Sequence, residues 1–215
     1  MQQVTREEWL QRANDIMRVE LFKPAGYDLP EDVQITVGYP LGYRSSSKMQ
    51  TVGQCFPRKA SSAGVNEVIL NIKLGSTSED KKEIRENTET VLDILVHEDS
   101  HAIDDCQHGH GPKFREIATS VGLCGPMRST QATDKLKQFF IDKVISEIGE
   151  FPHRALTANR KKQSTRMLKV ACSHECGFQF YTSRTQIDNI GWTQCHGCGE
   201  NGLIVHANGE QYPIR

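Results

Sequence analysis

Two groups of residues in this 215-residue chain have the residue types and the spacing of metal ligands. One group is a short histidine pattern within residues 97–101, and the other consists of two cysteine pairs between residues 172 and 198. They predict different chemistry, because three-ligand sites with an open position are catalytic, whereas four-cysteine sites are closed and structural.

The histidine pattern is His97-Glu98-x-x-His101. Residues four apart on a helix share a face, with Cβ atoms about 5–6 Å apart, so both imidazoles can reach one zinc ion at roughly 2.0–2.1 Å. Glu98 lies one position round the helix, near enough to hold a water molecule without binding the metal. The pattern therefore predicts a hydrolytic zinc site with Glu98 as the catalytic general base. The alternative is two ordinary surface histidines on an amphipathic helix.

A catalytic zinc site also needs a third protein ligand and an open fourth position. Gln107 stands where the pattern H-E-x-x-H-x-x-G-x-x-H has its third histidine, which excludes that class. The remaining candidates are Glu116, His108 and His110. We favour His110, because glycines flank it and a proline follows, so that the chain can turn back towards the helix there.

The two cysteine pairs are separated by 18 residues, and their members are Cys172, Cys176, Cys195 and Cys198. Glycines beside each pair allow tight turns in which backbone amides approach thiolates. Four thiolates complete a tetrahedral shell, so the pattern predicts a structural zinc ribbon. The alternative is four free thiols. We expect the other cysteines to be buried small apolar residues, and these are Cys55, Cys106 and Cys124.

The composition is that of a globular protein without a membrane span. Hydrophobic residues make up 37% of the chain and charged residues 25%, and no apolar run approaches the roughly 18–20 residues that a span needs. The N-terminal segment carries acidic residues where a signal peptide would be apolar. We therefore expect a protein that is not secreted and that is cytoplasmic or associated with a nucleoid or nucleus. Thiols stay reduced there, which favours metal binding by the cysteine pairs.

The formal net charge of −1 hides an asymmetry. From residue 151 onwards there are eight Lys/Arg and four Asp/Glu, and six of the eight lie in residues 154–169, where there is no acid. Such a stretch attracts polyanions, although it equally fits a solvated linker. The candidate nucleic-acid-binding residues are Arg160, Lys161, Lys162, Arg166 and Lys169. Aromatic residues of the cysteine module could stack on bases or form its core, and these are Phe178, Phe180, Tyr181 and Trp192.

Hydrophobic periodicity predicts the elements that position these groups. Helices are predicted over residues 6–20, 86–106, 112–121 and 131–148, the first beginning at a Thr5–Glu8 capping box and the second carrying the histidine pattern. Strands are predicted over residues 33–38 and 67–73, with a short one near Val52. The predicted organisation is a metalloprotease domain over 1–150, a basic linker over 151–167 and a zinc-ribbon module over 168–215.

The combined motifs resemble those of the SprT-like zinc metalloprotease family, to which the Spartan DNA–protein crosslink proteases belong. The resemblance is carried by two segments, His97-Glu98-Asp99-Ser100-His101-Ala102 and Gly109-His110-Gly111-Pro112-Lys113-Phe114. It extends from about Ile69 to the cysteine module. In that family the third ligand is the histidine of a G-H-G-P-x-F motif, so the resemblance implies His110.

The resemblance implies an α+β fold, in which a small zincin-like domain with HExxH on its central helix precedes a β-rich zinc ribbon. It implies zinc-dependent hydrolysis of peptide bonds with two Zn²⁺ ions, one catalytic and one structural. The implied partners are a protein substrate and DNA, single-stranded or duplex, because C-terminal zinc modules and basic segments engage DNA in related proteases. The competing interpretation is a non-catalytic, nucleic-acid-binding or transcription-associated protein that uses the protease fold as a scaffold. Glu98 weighs against it, because a structural zinc site needs no carboxylate beside its ligand.

Two further expectations concern the surroundings of the motif. Asp99 and Ser100 stand where the family usually has apolar residues. We expect that they do not face the metal and need not face the core, so that polarity is tolerated at these positions. Asp93 and Asp105 lie four residues from His97 and His101 respectively. They are candidates to orient the imidazoles, or else simply solvated helix charges.

Overall fold

A computed structural model describes residues 4–41, 51–152, 154–156, 167–190, 194–207 and 210–213. The chain divides into two compact units, Met1–Thr157 and Ala158–Arg215. The fold is mixed α+β, with helices and small sheets, as the sequence predicts. Within the described ranges no helix is both long and apolar enough to cross a bilayer. Four of the candidate nucleic-acid-binding residues lie outside the described residues, and these are Arg160, Lys161, Lys162 and Arg166.

The first helix, α1 (Arg6–Met17), begins at the predicted capping box. The Glu8 backbone N–H donates to Thr5 Oγ1 at 3.1 Å, and the Thr5 backbone N–H donates to the Glu8 carboxylate at 2.8 Å. Both donors would otherwise lack a partner at the helix start. A π-helical turn, Arg18–Phe22, continues the helix beyond its predicted end.

A three-stranded sheet forms the β layer of the first unit. Its strands are β1 (Gln34–Gly38), β2 (Gly53–Phe56) and β3 (Glu67–Asn71). Central β3 is parallel to β1 and antiparallel to β2, so β2 lies at an edge of the sheet. The short strand predicted near Val52 is confirmed one residue later, and β2 lies beside the long helix that carries the histidine pattern.

That long helix, α2 (Lys81–Ile103), begins five residues before its predicted start. Asp80 caps it, because its Oδ1 accepts the backbone N–H groups of Lys82 and Glu83 at 2.9 and 3.0 Å. The first turn carries exposed lysines and shows no apolar periodicity, so the hydrophobic pattern alone places the start too late. The buried face of α2 includes Val91, Leu92, Leu95 and Val96.

The chain reverses direction between α2 and α3 (Pro112–Ser120). Asp105 and Cys106 have φ angles of 52° and 57°, in the left-handed region where a helix cannot continue. Gly109, with φ of 48°, occupies the same region without the penalty of a Cβ atom. Pro112 stands at the first position of α3, as predicted. The reversal brings His110 back beside the C-terminal half of α2.

A small antiparallel pair, β4 (Leu123–Cys124) and β5 (Gln131–Ala132), follows α3. The predicted helix over 131–148 starts later than expected, because its first two residues belong to β5 and Thr133 then caps the helix. Three consecutive segments make up that helix, and they are α4 (Asp134–Phe139), a π-helical turn (Phe140–Ile145) and α5 (Ser146–Ile148).

The second unit is a four-stranded antiparallel sheet with one short helix among its described residues. The elements are β6 (Leu168–Cys172), β7 (Gln179–Thr182), α6 (Arg184–Ile190), β8 (Leu203–Ala207) and β9 (Glu210–Pro213), with strand order β7-β6-β8-β9. Its buried core is small and consists of Val170, Cys172, Ile187, Cys195, Leu203 and Val205. Phe178 and Phe180 pack partly against this core, whereas Tyr181 is 62% exposed. Trp192 lies outside the described residues.

Candidate metal centres

Three imidazoles from α2 and the turn after it converge on one point. His110 Nε2 lies 3.2 Å from His97 Nε2 and 3.3 Å from His101 Nε2, and one ring nitrogen from each residue lies within 4.8 Å of the others. In a tetrahedral shell with zinc–nitrogen distances of roughly 2.0–2.1 Å, two nitrogens are about 3.3–3.4 Å apart. The three side chains therefore fit a single ion of the size of zinc.

The other two candidates for the third ligand lie elsewhere. His108 Nδ1 lies 3.0 Å from Asp104 Oδ2 on the exposed side of the turn. The Glu116 carboxylate accepts hydrogen bonds from Tyr27 and Lys113. Of the three candidates, the structure places only His110 beside the two histidines of α2.

A buried phenylalanine packs against all three imidazoles. The Phe114 ring stacks on His101 with centroids 4.2 Å apart, and its centroid lies 4.9 Å from that of His97 and 5.2 Å from that of His110. Phe114 is fully buried on α3. It forms an apolar floor that restricts the orientations of the rings, a role that the sequence analysis did not assign to it.

Thr130 is a second contact that sequence reasoning missed. Its Oγ1 lies 2.8 Å from His97 Nδ1. In the tautomer with the proton on Nδ1, His97 donates to this hydroxyl and leaves Nε2 free to bind a metal. Thr130 follows the α2 motif by many residues and lies on a loop without periodicity, so no local sequence signal pointed to it.

The two aspartates expected to orient the imidazoles bind other groups. Asp105 Oδ1 accepts the Arg58 backbone N–H at 2.7 Å and the Asn66 Nδ2 amide at 2.9 Å. The Asp93 carboxylate accepts the Ala132 backbone N–H, and burial raises the pKa of Asp93 to about 6. The Asp105 carboxylate therefore binds the segment that follows β2 and does not orient a histidine. The alternative of fully solvated charges is also wrong, since both are half-buried.

Glu98 is buried beside the histidine cluster, with 5% of its surface exposed. Burial raises the pKa of Glu98 to about 8, and the backbone N–H of Cys55, which donates to the carboxylate, partly offsets this. Gly53 lies so close that a Cβ atom there would be 2.6 Å from Glu98 Oε1. A cation held by the histidines would favour the carboxylate and lower the Glu98 pKa.

The electrostatics of the cluster favour neutral imidazoles. Burial lowers the pKa of His97 to about 4 and that of His101 to about 3, with the neighbouring histidines adding to the effect. Burial and the charge of Arg128 also lower the pKa of His110. Metals bind the neutral form of histidine, so His97 and His101 are ready to coordinate at pH 7 without first losing a proton.

The cluster opens into a cleft of about 590 Å³. Residues 51–55, including β2, line it together with α2, the turn at residues 106–110 and the loop at residues 128–130. Its volume falls in the range of about 300–1,000 Å³ that is typical of ligand-binding sites. The general-base candidate and the three histidines are all part of this lining.

The four cysteines of the predicted ribbon also converge, with all Sγ atoms within 4.8 Å of one another. The Sγ–Sγ distances are 3.7 Å for Cys172–Cys198 and 3.5 Å for Cys176–Cys195. Zinc–sulfur distances of roughly 2.3 Å in a tetrahedral shell give about 3.8 Å. The Gly197 backbone N–H donates to Cys195 Sγ at 3.3 Å, as expected for a turn that stabilises a thiolate. This group therefore fits a closed, structural metal site.

Asp99 and Ser100, which by our expectation need not face the core, are both fully buried. Asn14 of α1 donates from Nδ2 to Asp99 Oδ1 at 3.0 Å, and the Ser100 hydroxyl donates to the Val96 carbonyl at 2.7 Å. Burial, with a contribution from Glu98, raises the pKa of Asp99. Since α1 packs against α2, these positions lie inside the fold and their polarity requires internal partners.

The expectation that the three remaining cysteines are buried small apolar residues is wrong for Cys124 and only partly met for Cys55 and Cys106. Cys124 is exposed, and Cys55 and Cys106 are only half-buried. Both of the latter line the cleft, and Cys55 also packs against the apolar core. Their Sγ atoms lie 3.4 Å apart.

Lys169 is the only candidate nucleic-acid-binding residue within the described part of the chain. It lies on central strand β6, directly opposite Tyr181 of β7 on one side and His206 of β8 on the other. A cation, an exposed aromatic ring and an imidazole therefore form one row across this face of the sheet.

No protein-family model, no curated protein and no solved structure matches this chain. What the fold and the site define is a mixed α+β protein with two candidate metal-binding groups of different chemistry. One group has three histidines beside a buried carboxylate and a cleft, and the other has four thiols.

Proposed function

We propose that this chain is a zinc-dependent endopeptidase of the SprT-like kind, with a zincin-like catalytic unit and a zinc ribbon, acting on proteins associated with DNA. The observation that carries the proposal is the position of Glu98. Its buried carboxylate lies beside three convergent imidazoles and lines the same cleft. A structural metal site has no use for an uncoordinated carboxylate in this place, whereas hydrolysis requires a base.

The three histidines fit the metal that this chemistry requires. Zn²⁺ would be held by the Nε2 atoms of His97, His101 and His110. The Nε2 atom of His110 already lies 3.2 Å from that of His97 and 3.3 Å from that of His101. When bound, zinc supplies Lewis-acid activation of water and of the substrate carbonyl. Thr130 and Phe114 orient the rings, so that the donor atoms point to a common centre before a metal arrives.

Glu98 carries the proton transfers. Its carboxylate takes a proton from the attacking water and then passes it to the leaving amine. The Cys55 backbone N–H holds this carboxylate, and Gly53 lies against it. The base is thereby fixed in position before a substrate enters, which reduces the reorganisation that the reaction requires.

The cleft suits an extended polypeptide. Among the described residues β2 pairs with β3 alone, and its other edge faces the cleft, where the Cys55 backbone N–H already donates to Glu98. An extended peptide that adds to a sheet edge gains main-chain hydrogen bonds, with specificity left to its side chains. Such a mode would lay a peptide bond alongside Glu98, because β2 contacts this residue directly.

The decisive experiment is Glu98→Gln in the full chain, which removes the basic carboxylate and keeps the size and shape of the side chain. Casein and histone cleavage are measured with and without DNA, and zinc is counted by elemental analysis. We expect cleavage to fall by about 10²–10⁴-fold while zinc content stays unchanged. The matched control is Glu116→Gln, an exposed carboxylate on α3. Cleavage retained by Glu98→Gln would overturn the general-base assignment.

A non-catalytic scaffold remains the competing function, and the same experiment separates it. Wild-type protein that holds zinc in the histidine group yet cleaves neither substrate, with or without DNA, would favour the scaffold. The row of Lys169, Tyr181 and His206 is the observation that supports a nucleic-acid partner in either case, because a cation and an exposed ring suit phosphate and base respectively.

The basic stretch is tested by neutralising Arg160, Lys161 and Lys162 to glutamine. Each lost contact to a single strand reduces the slope of log affinity against log salt by about 0.7. We therefore expect weaker binding to single-stranded DNA and a slope smaller by about 2. Neutralising Lys81 and Lys82, two exposed lysines at the start of α2, serves as the control. Unchanged affinity and slope would make the stretch a linker only.

A further inference from the structure

Two cysteines outside both metal-binding groups meet at the cleft. Cys55 on β2 and Cys106 in the turn after α2 are 51 positions apart in sequence, yet their Sγ atoms lie 3.4 Å apart. Cys106 Sγ also lies 3.6 Å from the Cys55 carbonyl oxygen. Both side chains are half-buried and line the cleft, so a small molecule can reach them from solvent.

This arrangement is that of a thiol pair that can be bridged. A disulfide has an S–S distance of about 2.0 Å, so the sulfurs, now 3.4 Å apart, must approach by roughly 1.4 Å for the bond to form. Among the described residues no third metal-ligating group joins the two thiols. The pair therefore differs from the four-cysteine group, in which each sulfur has three others around it.

We propose that Cys55 and Cys106 form a reversible disulfide when the protein meets a hydroperoxide, and that this bond restrains the cleft. One of the two thiols gives up its proton and its sulfur attacks a peroxide oxygen; the O–O bond breaks, the sulfur becomes a sulfenic acid, and the leaving hydroxide takes up that proton and departs as water. The second sulfur then attacks the first, its proton passes to the leaving hydroxyl group, the S–O bond breaks, and a second water leaves. Two thiols lose two electrons and two protons, and hydrogen peroxide is reduced to two molecules of water.

Either thiol can take the first step, because both line the cleft. The other is then the resolving partner, since the two sulfurs already lie 3.4 Å apart.

The bond would join the two segments that hold the hydrolytic residues. The Cys55 backbone N–H donates to the Glu98 carboxylate, and the Cys106 backbone N–H donates to the His101 carbonyl at 2.8 Å. A disulfide draws β2 and the turn after α2 together, so we expect it to slow hydrolysis. This consequence rests on the proposed function, whereas formation of the disulfide does not.

The bond itself is tested by peptide mapping of the full, zinc-loaded chain. The protein is treated with hydrogen peroxide, remaining thiols are blocked with N-ethylmaleimide, and the digest is analysed by mass spectrometry. We expect a peptide pair that contains Cys55 and Cys106, lighter by two hydrogen atoms and lost on reduction, while Cys124 is alkylated. Cys124→Ser should form the same pair, and Cys55→Ser should not. Full alkylation of both residues, or pairing of Cys106 with another cysteine, would overturn the proposal.

The effect on the cleft is tested on casein with the same samples. Peroxide should lower cleavage several-fold in the wild type and in Cys124→Ser, and a reductant should restore it. The Cys55→Ser protein should keep its own starting activity after peroxide. Cleavage unaffected by a fully formed disulfide would overturn the restraint. A reduced wild type without any cleavage would instead overturn the proposed function, and the peptide map would still decide whether the bond forms.

Discussion

At the scale of single residues, the histidine group depends on contacts that aim each ring. His101 is held by stacking on Phe114, and His97 by the hydrogen bond between its Nδ1 and Thr130. Such outer contacts fix the tautomer and the direction of a metal ligand, so their loss weakens metal binding even though all the ligands remain.

Thr130→Val tests this, because it removes the hydroxyl and keeps the shape of the side chain. Without the acceptor for its Nδ1–H, the His97 ring loses its preferred tautomer and orientation. We expect zinc affinity of the histidine group to fall by about 10–100-fold, as measured by competition with a chromophoric chelator. Thr90→Val, at an exposed position of α2, is the matched control. Equal affinities in the two variants would contradict the role given to Thr130.

Part of this site could be predicted from local sequence and part could not. His97, Glu98 and His101 lie on one helix, so their spacing alone places them together, and the glycines around His110 indicated where the chain turns back. Thr130 comes from a distant loop and has no local signal. The burial of Asp99 and Ser100 could not be predicted for a related reason, since it is caused by α1, which the periodicity of α2 does not reveal.

At the scale of elements, the site depends on how closely β2 approaches α2. Gly53 lies against this helix, where a Cβ atom would be 2.6 Å from Glu98 Oε1 and 2.7 Å from Ile94 Cγ2. A side chain at this position would push the strand away from the helix or displace the carboxylate. The glycine is therefore required by contact distance, and not by its backbone conformation.

Gly53→Ala should impair the general base, Glu98, and leave the metal ligands intact. Overpacking of this kind costs about 1–3 kcal/mol of stability, and the displaced carboxylate should lower cleavage by about tenfold or more, since general-base catalysis depends on position. Zinc content should stay unchanged. Gly38→Ala on β1, where the nearest atom to a new Cβ is Ile69 Cγ2 at 3.8 Å, is the control. Full activity of Gly53→Ala in a casein assay would contradict this account.

The helices of the first unit and strands β1 to β3 follow from the sequence, and the errors in them have identifiable causes. The capping box at Thr5 and the proline at the start of α3 are local signals, and both helices begin where predicted. The start of α2 was placed too late, because its first turn is polar and only the Asp80 cap marks it. The π-helical turns Arg18–Phe22 and Phe140–Ile145 widen helices that the periodicity describes as regular, and α6 is too short to show a period.

At the scale of the whole molecule, the two units differ in what can stabilise the fold of each one. The first has an extensive apolar core that spans its helices and its sheet. The second has a core of a few residues, two of which, Cys172 and Cys195, are themselves candidate ligands. Small domains with so little apolar core need a metal or another crosslink. We therefore expect the second unit to fold only with the metal of its four-cysteine group. We expect the first unit to fold whether or not that metal is bound.

Cys195→Ser tests this dependence, because it removes a buried thiolate from the four-cysteine group. We expect one zinc fewer per chain, loss of protection from proteolysis after residue 157, and a first unit that still resists digestion. The measurement is limited proteolysis followed by mass spectrometry, together with zinc analysis. Cys124→Ser, which alters an exposed thiol outside the group, is the control. A second unit that stays protected in Cys195→Ser would show that its fold does not require the metal.

The buried contact between Asn14 and Asp99 has an evolutionary consequence. Each side chain is the hydrogen-bond partner of the other inside the protein. A substitution of only one of them leaves a buried polar group without that partner, which costs about 1–3 kcal/mol of stability. Replacing both with apolar side chains avoids that penalty. Descendants and ancestors of this chain should therefore alter positions 14 and 99 in concert, and an apolar residue at 99 should be accompanied by an apolar residue at 14.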